Sequence, residues 1–159
     1  LIYRLTVSDK LNNICKLSDN DIIPTVKIDS PLGLNYLNED LINIIESLRP
    51  FGKGNSSPLF AVKNVNIERL WLLGKEKNFL KLRFKFESNG RFLHIDGVSF
   101  DKFETFKEEV INKYGEEEFI RACDSSYINL KADVIYYPNI NEFNGKRNIQ
   151  LMIKNIRIN

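Results

Sequence analysis

From Leu80 to Phe86 the chain alternates strictly between apolar and basic residues, Leu-Lys-Leu-Arg-Phe-Lys-Phe. A repeat of two is the repeat of a strand; a helix would scatter the same residues around its circumference. Leu80, Leu82, Phe84 and Phe86 therefore share one face, and Lys81, Arg83 and Lys85 share the other. A face with four large apolar side chains has to be covered by the rest of the chain. A sheet closed on itself, with this face inward, does so most directly.

With this strand included, strand-like segments rich in Val, Ile, Leu, Phe and Tyr lie near 60–73, 79–87, 92–100, 128–139 and 147–158. Asn144-Gly145 joins the last two, the strongest short hairpin signal. Between the third and fourth, residues 101–114 place Phe103, Phe106, Val110 and Tyr114 on one helical face. Five strands with one helix between the third and fourth is the order of an OB-fold, a five-stranded Greek-key barrel. Other small barrels, SH3-like ones included, share the strand count, but the helix position favours OB. The expected class is mainly β, preceded by a short α-rich N-terminal segment. That segment holds a short helix near 8–17, a brief strand at Val26–Asp29, a turn at Ser30–Gly33, and a helix capped by Asn38. The last of these carries Leu37, Leu41, Ile44, Ile45 and Leu48 on one face and stops at Pro50.

The 159 residues suffice for one well-packed domain. With a net charge of +2, no whole-molecule field announces a polyanion, so a nucleic-acid site has to be a local patch. Cys15 and Cys123 stand far apart, suggesting neither a disulfide framework nor a zinc knuckle; buried thiols in a reducing, cytoplasmic compartment are expected. No apolar run reaches the ~18 residues of a membrane span, and no membrane partner is expected. A start at Leu1 rather than methionine suits a fragment or a processed end.

The basic face of the alternating strand is the candidate site. Lys81, Arg83 and Lys85 stand about 6–7 Å apart at the ~3.3 Å rise of a strand, near the phosphate repeat of an extended single strand. OB-folds that bind oligonucleotides use strands two and three and the loops joining strands one–two and four–five. The first loop brings Lys75 and Lys77; the second brings Phe143, Asn144, Lys146 and Arg147. With Leu93 and Ile95 inward, Phe92 and His94 join the cations outside, and a bulge near Asp96-Gly97 returns Val98 and Phe100 to the core. Cations interleaved with rings make a platform for single strands. A solvated lysine face that discourages edge pairing is the plainer reading of the same strand. Trp71 is expected to pack against the core or the N-terminal helix, and Glu116-Glu-Glu118 to be a solvated acidic run. His94, the single histidine, has no metal-ligand partners at suitable spacing. No nucleophile elbow, phosphate-binding loop or HExxH occurs, so no catalytic or metal residue is assigned.

The stretch Leu48-x-Pro50-Phe51-Gly52-x-Gly54-Asn55-x-x-Pro58-x-Phe60 is too rigid for an ordinary linker. It resembles the "L-x-PFG-x-GN-P-x-P-x-F" connection of the bacterial RecJ family of single-stranded-DNA-specific exonucleases. Phe79-Leu80-Lys81-Leu82 is similar to that family's "H-L-K-L" strand. Asn141–Gly145 with Gln150–Arg157 is similar to its "N-E-(aromatic)-N-G…Q-L-x-(I/V)-K-D-I-R" close. Ser56, Phe79 and Asn155 depart from the pattern, at positions that are not catalytic. The resemblance implies that residues 1–47 are the tail of a DHHA1 domain and 48–159 an OB-fold domain, with 48–60 as the joint. Pro50, Phe51, Gly52, Gly54, Asn55, Pro58 and Phe60 make that joint, with both glycines free to take positive φ. It further implies a parent 5′→3′ exonuclease of recombination and repair using Mn²⁺ or Mg²⁺. The metal motifs of its nuclease domain are absent here, so this fragment is expected to need no cofactor. The implied partners are single-stranded DNA, the missing DHH and DHHA1 domains, and other repair proteins. A structural or docking module without strong DNA binding is the alternative.

Overall fold

The computed structural model describes residues 25–76 and 78–159; the expected helix at 8–17, Cys15 and Lys77 lie outside them. Within the described residues six strands and three α-helices follow one another: β1 (Ser30–Pro31), α1 (Glu39–Ser47), β2 (Phe60–Leu73), β3 (Phe79–Ser88), β4 (Arg91–Ser99), α2 (Phe103–Tyr114), α3 (Glu116–Ser125), β5 (Tyr127–Phe143) and β6 (Lys146–Ile158).

The strands run in the order β1-β2-β3-β4-β6-β5, and β2 also pairs with β5, which closes the ring. β2 achieves this by pairing first with β5, from Phe60, and then with β3, as far as Leu73, with bulges at 62–65 and 67–69. Its bulges supply the bend that lets one strand serve both sides of the barrel. β4 and β6 are parallel, paired only at Asp96–Val98 with Gln150–Met152; the pairings from β2 to β3, β3 to β4, β5 to β6 and β2 to β5 are antiparallel. This is the OB-fold expected from the strand and helix order.

The core is built from the inward residues of each strand. Leu80, Leu82 and Phe84 are fully buried, meeting Ile67, Leu70, Tyr136 and Leu151, while Phe86 packs at the rim. Tyr136 is too large to hide its hydroxyl without a partner, and donates it to the Leu32 carbonyl at 2.8 Å. Burial pushes its phenol pKa well above the ordinary value. α2 and α3 cover one end through Phe106, Val110, Phe119 and Ala122.

Four expectations change. The connection after β4 holds two helices rather than one: Gly115, at φ +90°, ends α2 and begins α3. Glu116-Glu-Glu118 is the first turn of α3, where carboxylates suit the positive end of the helix dipole. The brief strand lies not at 26–29 but at Ser30–Pro31, parallel to Phe60–Ala61, in place of the expected turn. On α1, Asn38 does cap the helix, accepting from the Leu41 N–H at 2.8 Å, but Ile42 and Ile45 are the buried pair and Ile44 and Leu48 face out. In β4 there is no bulge at Asp96-Gly97: register with β3 is continuous from Arg91 to Ser99. Ile95, Gly97 and Ser99 point inward, Val98 lies on the outer face, and Phe100 is exposed against the ring of Phe79, 5.2 Å away. Gly97 makes this register possible, because a Cβ there would lie 2.7 Å from Phe84 and 3.0 Å from Ile153.

In the joint, Asn55 donates its side-chain amide to the carbonyls of Leu48 (3.0 Å) and Pro50 (2.9 Å). Gly54 has positive φ but Gly52, contrary to expectation, does not; Gly52 instead exchanges backbone hydrogen bonds with Asn55. Phe51 sets its edge against Tyr137, whose hydroxyl donates to Glu46, and Phe60 packs beside Tyr136. Pro58 is half-buried immediately before β2.

Candidate nucleic-acid interface

Strand register places the outward side chains in rungs across β2, β3, β4, β6 and β5. One rung runs Trp71, Lys81, Val98, Met152, Tyr137. The next runs Arg69, Arg83, Asp96, Gln150, Asn139. Beyond these, Lys85 pairs with His94 on one side, and Asn141 with Asn148 on the other. Between His94 and Asn148 the parallel pairing has ended, so the two hairpins part.

Lys81, Arg83 and Lys85 do stand together on the outer face, as alternation requires. Their surroundings were not legible in the sequence. Arg83 holds both oxygens of Asp96, and Lys81 reaches the same carboxylate at 3.0 Å. Lys85 lies 3.6 Å from Glu68, and His94 Nε2 lies 3.0 Å from the same residue's other oxygen. Among these three cations and two carboxylates a single net positive charge remains. Burial opposes ionisation of Asp96, but the hydrogen bonds from Arg83 and Lys81 outweigh it and hold its pKa below the ordinary value.

Two rings underlie the cations. Trp71, expected to pack against the core or the N-terminal helix, is on this face: Lys81 Nζ lies 5.4 Å and Arg83 Cζ 5.2 Å from its centroid. Phe92, 64% exposed, has Lys85 Nζ 4.7 Å above it. Both are within the range of cation–π attraction.

Where β4 and β6 diverge, a groove of about 600 Å³ opens beside these residues. Leu34, Leu37, Leu93 and Ile149 give it apolar surface; Asn141, Asn148 and Gln150 give it amides. Phe143, 70% exposed, and Lys146 line it from the tip of the β5–β6 hairpin, whose turn is made by Asn144 and Gly145 at positive φ. Arg147 is on the opposite side of that hairpin, 3.4 Å from Glu39 at the start of α1. Lys75, in the β2–β3 loop, is exposed and does not line the groove. The two loops thus sit at opposite ends of the face, one beside the groove and one away from it.

The residues that sequence reasoning missed are Glu68, Asp96, Trp71, Asn141, Asn148 and Gln150. Alternation in β2 and β6 assigns the outer positions once the register is known, but sequence does not supply the register. Among the described residues no three His, Cys, Asp or Glu side chains gather as metal ligands, and no helix is long and apolar enough to cross a membrane.

The family model described as the RecJ OB domain matches residues 28–155. The chain belongs to the RecJ OB-domain family. It is similar to the single-stranded-DNA-specific exonuclease RecJ of Bacillus subtilis (strain 168), with 27% identity over 151 residues. That alignment covers 94% of this chain and 16% of the exonuclease, so the chain spans about one sixth of that relative's length. Among solved structures, two crystal structures of the mitochondrial single-stranded DNA binding protein Rim1 of S. cerevisiae, one of them selenomethionine-labelled, align over 63% and 69% of this chain and 91% and 96% of theirs. Their TM-scores are 0.36 and 0.33, at 10% and 11% identity, a distant likeness.

Proposed function

We propose that this RecJ OB domain is a single-strand-binding module of a longer 5′→3′ exonuclease, a cytoplasmic enzyme of recombination and repair that uses Mn²⁺ or Mg²⁺ in its nuclease domain. The observation that carries the reading is the outer face itself. Lys81 and Arg83 over Trp71, and Lys85 over Phe92, set cations and rings side by side along an open groove. Backbone phosphates and stacked bases need these two kinds of group in alternation, and neither demands a particular sequence. The exonuclease named among its relatives acts on single strands, which suits such a surface.

The test is fluorescence anisotropy of a labelled strand of about 20 nucleotides against the matching duplex, at about 50 and 200 mM salt. The reading expects preference for the single strand and steep weakening with salt. Absence of binding at low salt overturns it.

A second reading, a structural or docking module that closes the nuclease ring or recruits a repair partner without strong DNA binding of its own, is supported by the exposed apolar side chains Tyr36, Ile44 and Leu48 on and beside α1. In either reading, residues 48–60 form the joint between a DHHA1 tail, residues 1–47, and the OB-fold domain, residues 48–159. Asn55, which holds the Leu48 and Pro50 carbonyls, stiffens that joint.

A further inference from the structure

We propose that the cleft where β4 and β6 part receives a nucleobase turned out of the bound strand, so that this domain grips bases as well as phosphates. The proposal rests on the single-strand reading above and adds a site to it.

The cations of the face are largely occupied. Asp96 and Glu68 together pair with Lys81, Arg83 and Lys85, so a phosphate competes with a carboxylate at each of the three, and of the described outward cations in these rungs only exposed Arg69 is paired with no acid. A surface that held DNA by phosphates alone would not place two acids among its cations. The adjacent cleft offers a different attraction. Pairing of β4 with β6 stops at Asp96 and Gln150, and beyond that level Leu93, 46% exposed, and half-buried Ile149 are left uncovered between the hairpins. A flat apolar ring fits such a gap because it removes that surface from water.

The cleft walls carry the complementary polarity. Asn141 and Asn148 are direct cross-strand partners, with Gln150 one rung further in. Each amide has both a donor and an acceptor, the pattern with which base edges pair. Phe143 stands at the mouth, with nothing packed across its ring among the described residues, where a neighbouring base can stack. A phosphate can take the amide N–H groups but leaves the amide oxygens and the apolar surface of Leu93 and Ile149 unused, whereas a base uses all three.

The decisive probes are three labelled strands of equal length and charge: poly-deoxythymidine, poly-deoxyadenosine and an abasic deoxyribose-phosphate strand, each bound to the whole 159-residue chain. The proposal expects the base-bearing strands to bind about tenfold tighter or more than the abasic one. Asn141→Ala combined with Asn148→Ala should close that gap by roughly tenfold and leave the abasic affinity and the salt slope unchanged. In nuclear magnetic resonance the side-chain amide signals of both residues should shift with the base-bearing strands and stay put with the abasic strand. Equal losses for all three strands in the double variant overturn the cleft site; equal affinity of the unchanged protein for all three overturns the cleft site and base stacking on Trp71 and Phe92 together, while phosphate binding by the cations stands. Failure of every strand to bind overturns the single-strand reading and the base site with it.

Discussion

Arg83 grips Asp96 with two parallel hydrogen bonds, Nε to Oδ1 at 2.7 Å and Nη2 to Oδ2 at 3.1 Å. The pair joins directly opposed residues of β3 and β4 in the middle of the outer face. A forked guanidinium–carboxylate contact has a fixed geometry, which makes it stronger than a point-charge pair. It stiffens the sheet and, in the same act, takes a cation away from any polyanion. Lys81 is drawn to the same acid.

Asp96→Asn keeps the shape of the side chain and removes the charge that restrains Arg83 and Lys81. Single-strand affinity should rise several-fold at low salt, and the log–log salt dependence should steepen by up to about −1.4, since each freed phosphate contact contributes about −0.7. Thermal stability should fall slightly, because the forked pair is lost. Anisotropy across a salt series reads the first two effects. An unchanged slope with intact fold means that these cations do not meet phosphate.

Asp133 predicts the acid limit of the fold. Its carboxylate accepts from the Asn159 side chain at 2.8 Å, the Asn64 backbone N–H at 2.9 Å and Arg157 at 2.6 Å, which together hold its pKa at about 2, below the ordinary carboxylate range. A depressed carboxylate pKa stabilises the folded state fully above the unfolded value, and that contribution disappears as pH falls towards 2. After allowance for solvent screening it is worth about 1–2 kcal/mol. Urea midpoints measured from about pH 5 down to about pH 2 should therefore fall, and Asp133→Asn should flatten the fall while lowering the plateau above pH 5. Parallel curves for the two proteins would exclude this residue as a source.

Gly97→Ala isolates the cost of the β4 register. The added methyl would meet Phe84 Cε2 at 2.7 Å and Ile153 Cδ1 at 3.0 Å, in a core whose neighbours are buried. Overpacking of this kind costs about 1–3 kcal/mol, and a lower urea midpoint at unchanged slope is the expected sign. Ile153→Val trims the Cδ1 atom and should recover part of the loss in the double variant. Wild-type stability in Gly97→Ala alone would mean that β4 shifts to admit the methyl.

Local pattern carried far in this chain. Alternation over Leu80–Phe86 marks the inner and outer faces of β3, and Asn144-Gly145 marks the last hairpin, because both are decided by residues close in sequence. α3 was missed although Phe119, Ala122 and Cys123 repeat at helical spacing; the acidic run before them hid a helix start. The false bulge in β4 has a related cause. Asp96 looks out of place in a core-bound strand until it is seen opposite Arg83, and Gly97 looks like a break until Phe84 is seen to fill its space.

The sequence by itself determined the succession of the five long strands, a helix between the third and fourth, the basic face of β3 and the family, since each is written in short-range periodicity or in a contiguous motif. Tertiary structure alone decided what those cations meet. Register brought Asp96 and Glu68 against them, carried Trp71 to the outer face, and let β4 and β6 part beside three amides. These relations join residues far apart in the chain, and a one-residue slip in pairing would send each of them to the opposite side of the sheet.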